Sequence, residues 1–400
     1  MIIGIIGAGA AGMAAALAAS ENPKARIILM ERQAKVGRKL AATGNGRCNL
    51  TNIYSTAANF HGDSCAFANY AMELFPPQEN LAWFARMGLL TVTEESGRVY
   101  PYSDQAASVV EVLSLALSKP NIQLKTGFEV TKVEKKDDKF LVTGAEGTIT
   151  CDKLIIACGG LAGTKLGGSM FGYRLLARFG HRYGKLRPAL VQLKSDWRVC
   201  STLKGVRANC KAEILRDGKP YSASTGELQF TEYGLSGPVI FEISRDACQG
   251  EGEWVCKLDF LPQIEQDQLL TMLVQRKHLP AQELLTGILH SRLGRVLVKE
   301  AGIEENTSYS TLSNRELEAI CSVVKDLQIS LTEPLGMDAA QVTAGGVFTA
   351  EFEEKTMESR LVPGLYACGE VLDIDGDCGG HNLQWAWSSG RLAGASAGKE

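Results

Sequence analysis

The chain has 400 residues, 45% of them hydrophobic and 22% charged, which excludes a disordered chain, a coiled coil and a collagen. Its 42 Lys and Arg against 45 Asp and Glu leave a net charge of −3, with no basic excess of the kind that nucleic acid or an anionic membrane calls for. At roughly 150 residues per domain, the length predicts two or three domains.

The first twenty residues, MIIGIIGAGAAGMAAALAAS, carry no charge. A signal peptide or a membrane span is rejected. No Lys or Arg precedes the apolar run, and Gly4, Gly7, Gly9 and Gly12 break it. The pattern predicts a buried strand over 1–6, a helix over 10–20 and a second strand over 26–30 that ends at Glu31. Between the first strand and the helix lies Gly7-Ala8-Gly9-Ala10-Ala11-Gly12. Gly7 suits the tight turn, Gly9 a close approach to a pyrophosphate, and Gly12 close packing of helix on strand. The helix N-terminus offers unpaired N–H groups to phosphates. Glu31 is placed to accept from a ribose hydroxyl and disfavours a 2′-phosphate there. The motif alone leaves NAD and FAD open. The next segment, 37–52, is dense in Gly, Asn and cations, which suits an irregular loop wrapping a ligand with backbone amides.

Further along, Tyr100 in GRVYPYS precedes a helix for which Ser103 is the expected cap. A strand is expected over 128–133, carrying Val130, and another over 153–157, followed by Gly159-Gly160. From 188 the pattern turns to short antiparallel strands, at 191–193, 210–215, 228–230 and 254–260, with the turn Arg216-Asp217-Gly218-Lys219 between two of them. Helical spacing follows at 264–276, 283–290, 293–300 and 314–327, with a returning strand near 327–333. Lys277, His278, Arg292, Arg295 and Lys299 read as a solvated helical face. A last strand over 364–368 ends in Gly369-Glu370, and Gly379-Gly380 lead into a long helix over 383–397. There is no second GxGxxG in a βαβ unit, which counts against a two-nucleotide disulfide reductase. The eleven Cys show no C-x-x-C spacing and read as reduced thiols of a cytoplasmic protein. Cys48 reads as a buried, inert thiol rather than a redox partner of the cofactor. The His residues form no metal pattern.

Three segments together resemble the BaiN/aminoacetone-oxidase family of FAD-dependent oxidoreductases. They are GRKLAATGNGRCNLTN at 37–52, GELQFTEYGLSGP at 226–238, and the run from VTAGGV at 342–347 through GLYACGEVLD at 364–373 to GGHNLQ at 379–384. The resemblance covers essentially the whole chain. It implies an α/β fold in which a Rossmann-like FAD-binding domain of glutathione-reductase type (1–188 and 334–400) is split by an inserted β-barrel domain (189–262 and 327–333) with a small helical subdomain (263–326). The inserted β domain is expected to set substrate range. FAD is expected to bind non-covalently, with NAD(P)H as a transient electron donor. The residues expected to hold FAD are Gly7, Gly9, Ala10, Ala11 and Gly12; Glu31 and Arg32; Lys39, Thr43, Gly44, Gly46, Arg47, Cys48 and Asn49; Val130; Ala157, Gly159 and Gly160; Gly346; Gly369 and Glu370; and Gly380, Asn382 and Leu383. Related flavoproteins carry Asp where this chain has Glu370. The glycines at 44, 46, 345 and 346 are expected to let main chain approach a flat ring. Tyr100 and His381 are the candidate proton donors. Members of the family have been assigned enone or dienone bile-acid reduction and, separately, amine oxidation. Both stay open here, beside a non-catalytic flavin-binding or RNA-associated module. The partner expected is a small-molecule substrate, with no metal, membrane or nucleic acid.

Overall fold

The computed structural model describes residues 1–245, 247, 249–276, 278–304 and 307–399; the sequence readings of Cys248 and Lys277 lie outside these residues. The predicted βαβ unit forms as Ile2–Ile6, Ala10–Ala19 and Arg26–Glu31. Ile2–Ile6 is the middle strand of a five-stranded parallel sheet. Lys153–Ile156 and then Leu365–Ala367 lie on one side, and Arg26–Glu31 and then Ile122–Thr126 on the other. Its central strands are buried along nearly their whole length, which is why they read as unbroken aliphatic runs rather than alternating ones. The sheet unites strands from the two ends of the chain, as the expected split domain requires.

The closing helix, His381–Gly398, lies along the cradle helix, Ala10–Ala19. Two sets of small residues four apart make the seam. A Cβ added at Gly390 would sit 2.4 Å from the Ala11 carbonyl oxygen, and one at Gly394 2.1 Å from that of Ala15. Only glycine lets the two backbones come this close.

Contacts divide the chain into two compact units, 1–188 with 340–400, and 189–339. The second holds a closed six-stranded antiparallel barrel, ordered 193–195, 234–236, 219–230, 207–216, 254–259 and 327–334. The predicted turn joins two of these strands, with Asp217 at φ 51° and Gly218 at φ 74°, both in the left-handed region that a two-residue hairpin turn needs. Helices Gln266–Val274, Ser291–Glu300 and Asn314–Lys325 place Leu273, Leu293 and Ile320 in the same hydrophobic cluster as barrel residues Ile214 and Leu258. The segments expected as separate β and helical parts therefore share one core.

Three expectations change. The strand expected at 191–193 forms at Leu193–Ser195. The helix expected over 283–290 is a short 3-10 turn, Ala281–Glu283, because Gly287 takes φ 79° and His290 already caps the next helix. Helix Pro238–Ser244 was not expected. Pro238 stands at its first turn, but the β-branched run PVIFEIS hides it.

In the first unit a buried imidazole fastens three segments. His181 Nδ1 lies 3.1 Å from Glu351 Oε2, its Nε2 2.8 Å from Ser359 Oγ, and its ring stacks on Phe352 with centroids 4.5 Å apart. The order Ser–His–carboxylate is that of a hydrolase triad, but Ser359 Oγ already accepts from the N–H groups of Leu361 and Val362 and is buried. Its role is structural. Burial holds the His181 pKa below its ordinary value, against the pull of Glu351. Between that lowered value and about 6.5 the unfolded chain binds a proton that the folded chain does not, so stability falls as pH falls through this window. Denaturant unfolding at pH 7.5 and 5.5 should show this loss, and His181→Gln should make it smaller. An equal loss in the variant would remove His181 from the account.

Candidate functional site

The three cradle glycines divide into two jobs. Gly7, at φ +101°, and Gly12 are closed in by protein: a Cβ on either would stand 2.5 Å from the Ala157 carbonyl oxygen or 1.8 Å from that of Gly7. Gly9 has φ −82° and ψ −167°, which any residue can adopt, and a Cβ there would meet nothing within 4 Å. It faces open space at the start of a helix with no side-chain cap, beside the Ala10 and Ala11 amides. Glu31 Oε2 accepts from Ala8 N–H and Oε1 from Gln33 N–H, both at 2.8 Å, so the carboxylate ties the turn shut and keeps lone pairs for a further donor. Arg32 reaches the Gly167 carbonyl at 2.6 Å. It borders a cavity of about 310 Å³ with Thr131, Lys132, Met170 and Phe171, next to buried Val130. Gly159, at φ 69°, is also open, whereas Gly160 packs on Glu370 and Thr343.

The Asn/Gly loop is irregular, as expected. Gly44, Asn45, Gly46 and Cys48 all take positive φ. Thr43 Oγ1 donates to the Leu40 carbonyl. Lys39 Nζ pairs with Glu370 Oε2 at 2.7 Å, while Glu370 Oε1 accepts from Thr343 N–H at 2.9 Å. The longer Glu side chain thus braces the loop against the Thr343 and Gly369 segments. Cys48 is fully buried, and burial pushes its thiol up to about 12, so it is inert. Arg47 turns outward to Asp104 and Glu94 and lies 4.0 Å over the Tyr100 ring. Ser103 does not cap the next helix; its hydroxyl bonds Ser108 Oγ, and Gln105 stands at the cap.

At the other wall, Gly379 and Gly380 take φ 125° and 104° and start the closing helix without a side-chain cap. Gly380 packs on the Thr51 backbone, which brings this turn to the Asn/Gly loop. Gly369, at φ 74°, abuts Ala11, and its N–H and carbonyl are held by Ser389 Oγ and Trp385 Nε1. The Asn382 amide is spent on the backbone of Gly376, and Leu383 packs toward the core. His381 is buried with Nδ1 2.9 Å from Ser55 Oγ, and burial pulls its pKa down, so it is neutral at pH 7. Burial raises the pKa of Tyr100, which keeps its proton. The open approach expected at 345 and 346 is not found. A Cβ at Gly345 would meet the Lys185 carbonyl oxygen at 2.4 Å, and one at Gly346 the Asp373 nitrogen at 2.5 Å, so these glycines serve backbone packing. Gly44 likewise backs onto Asn49, which leaves Gly46 as the open one of the four.

Sequence reasoning missed a carboxylate–imidazole pair. His61 Nε2 lies 2.6 Å from Asp377 Oδ1, and Asn59 donates to Asp377 Oδ2 at 3.1 Å. Pairing of Phe60–His61 with Asp375–Gly376 assembles it across 316 residues, a distance no spacing rule detects. It also missed that the buried Oδ1 of Asn49 has no hydrogen-bond partner. Among the described residues no helix is long and apolar enough to cross a membrane, and no group of three or more His, Cys, Asp or Glu is placed to hold a metal ion.

The family model described as the HI0933-like protein Rossmann domain matches residues 1–396. The chain is 40% identical over 403 aligned residues to 3-dehydro-bile acid delta(4,6)-reductase of Clostridium scindens, covering 99% of this chain and 98% of that protein. It is 32% identical to the ribosomal RNA dihydrouridine synthase of Escherichia coli, over 96% of this chain and 95% of that one. Among solved structures, a flavocytochrome c3 fumarate reductase in its open conformation aligns with a TM-score of 0.50 at 16% identity, over 99% of this chain and 78% of that one, which is a likeness of fold.

Proposed function

The chain belongs to the HI0933-like protein Rossmann family, and from that premise we propose that it is an FAD-dependent reductase of a C=C bond conjugated to a carbonyl. Its substrate class is a steroid-like dienone, and NAD(P)H is the transient donor. The observation that carries the reading is the likeness to the Clostridium reductase along nearly the whole of both chains. The donor set fits the cofactor. The space at Gly9 accepts a pyrophosphate, Glu31 a ribose, and the cavity beside Arg32 and Val130 an adenine. The pyrimidine edge of the flavin then falls to Asn49 and the start of the closing helix. FAD, when bound, supplies the hydride chemistry. The chain's own residues orient it and handle the proton. Lys39 and Glu370 lock the loop, His381 stays neutral, and Tyr100, with its proton retained, is the better donor of the two candidates.

A second reading follows from the Escherichia coli relative. Dihydrouridine is also the product of saturating a C=C bond conjugated to a carbonyl, so the flavin chemistry is shared. The inserted unit argues for the smaller substrate. Residues 189–339 hold 16 Lys and Arg against 21 Asp and Glu, and Lys194, Lys204, Arg207, Lys257, Arg295 and Lys325 are already paired with carboxylates. Anaerobic mixing tests both readings. The purified protein should be yellow, release FAD on acid precipitation, bleach with NADH or NADPH, and regain its colour with a conjugated steroid dienone but not with its saturated analogue. Recovery with ribosomal RNA alone would move the protein to the second reading. Bleaching by aminoacetone in place of the pyridine nucleotides would make it an amine oxidase.

A further inference from the structure

Arg98, in the strand Arg98–Pro101, is partly buried, and among the described residues its guanidinium has no hydrogen bond, ion pair or ring contact. The contrast with Arg47 nearby is plain, since that side chain has two carboxylates. Arg98 Nε lies 3.2 Å from where a Cβ on Gly379 would stand, at the turn into the closing helix. A cation beside the positive end of a helix is repelled in the protein alone. Its charge also reaches both candidate proton donors: after burial, it helps to keep His381 neutral, and it opposes the rise of the Tyr100 pKa. The second orphan is at the same turn. The Asn49 side chain makes no hydrogen bond, its Oδ1 is buried, and that atom lies 2.8 Å from where a Cβ on Gly380 would be.

A free cation, a buried acceptor and an uncapped helix start thus converge on Gly379–Gly380. That set is complementary to a planar group with an N–H donor between acceptor oxygens and a negative charge gained on reduction. The pyrimidine ring of a flavin is such a group. We propose that Arg98 is the counter-charge that stabilises the reduced flavin, with Asn49 Oδ1 accepting from the ring N–H. The inference rests on the FAD reading above. Arg98 is a positioning and tuning residue in this account, and its effect is on the cofactor's redox equilibrium rather than on its presence.

The test is the midpoint potential of the bound flavin, measured by dye equilibration. Wild-type protein is assayed first for flavin content; absence of FAD there defeats the cofactor reading and is seen before any variant is made. Arg98→Met should keep its FAD and lose at least tenfold of the selective stabilisation of the reduced form, a fall of about 30 mV in a two-electron potential. Arg98→Lys, which keeps the charge, should restore most of it. Should Arg98→Met shed its flavin, Arg98→Gln, which keeps a donor, takes its place in the same measurement. A full complement of FAD at the wild-type potential in the uncharged variant would overturn the proposal, and so would Arg98→Lys falling as far as Arg98→Met.

Discussion

Gly9→Val protein should fold, remain soluble and carry no flavin. The backbone at Gly9 is in a region open to valine, and no protein atom lies within 4 Å of the new Cβ, so the folded chain itself has little to lose. What the branched side chain fills is the space in front of the cradle helix, where a pyrophosphate must meet backbone N–H groups. The expected result is flavin content at background, with the circular dichroism of flavin-stripped wild type. Stripped protein is the right control, because bound FAD itself raises the melting temperature. Glu31→Ala should do less. Losing charge-assisted hydrogen bonds of about 1.5–3 kcal/mol weakens binding roughly ten- to hundredfold, so some flavin survives purification. Wild-type occupancy in Gly9→Val would refute the cradle. An unfolded Gly9→Val would show that Gly9, like Gly7 and Gly12, serves the fold.

Gly394→Val should severely damage the first unit. Its Cβ would stand 2.1 Å from the Ala15 carbonyl oxygen, and a backbone atom cannot turn aside as a flexible side chain can. The closing helix must lift from the cradle helix, and overpacking of this kind costs roughly 3 kcal/mol or more. Against a total stability of about 5–15 kcal/mol, soluble yield and melting temperature should both fall sharply. Gly398→Ala, one turn further on, is the control. Its Cβ meets the Ala19 carbonyl at 3.3 Å, and the gain in helix propensity, up to about 1 kcal/mol, offsets the tight contact. Equal melting temperatures for Gly394→Val and wild type would mean that the seam is looser than the geometry says.

What could be read from residues alone follows the range of the interactions involved. The cradle was legible because strand, glycine turn, helix and Glu31 lie within one short stretch and each has a local physical signature. The split of the first domain was legible because the 364–368 strand is too apolar to stand outside a parallel sheet. Helix Pro238–Ser244 was hidden because its residues prefer strands locally and are overridden by packing of Val239, Ile240 and Ile243 into the barrel core. Segment 283–290 misled in the opposite way, since its leucines repeat at helical spacing but Gly287 adopts a conformation no helix holds. The individual jobs of the glycines outside the cradle were out of reach for the same reason as the His61–Asp377 pair. Whether Gly346 faces a ligand or the Asp373 backbone is decided by a neighbour that only the tertiary fold supplies. Tyr100 and His381 were chosen as polar residues expected to face the cleft, whereas Arg98 passed unnoticed, because what marks it is the absence of a partner.

The seam between the cradle helix and the closing helix also sets an order of events during synthesis. Asn22, just past the cradle helix, donates to the Gly398 carbonyl across 376 residues of sequence. Everything that braces the cradle from that side therefore leaves the ribosome after the inserted unit does. The inserted unit has a hydrophobic cluster of its own, drawn wholly from residues 193–331, and can fold while the first strands wait. The nascent chain thus passes through a stage with a finished barrel and an alanine-rich first helix that still lacks its partner helix. Cofactor capture belongs after that stage, because the cradle helix is held from that side only once the closing helix has been made.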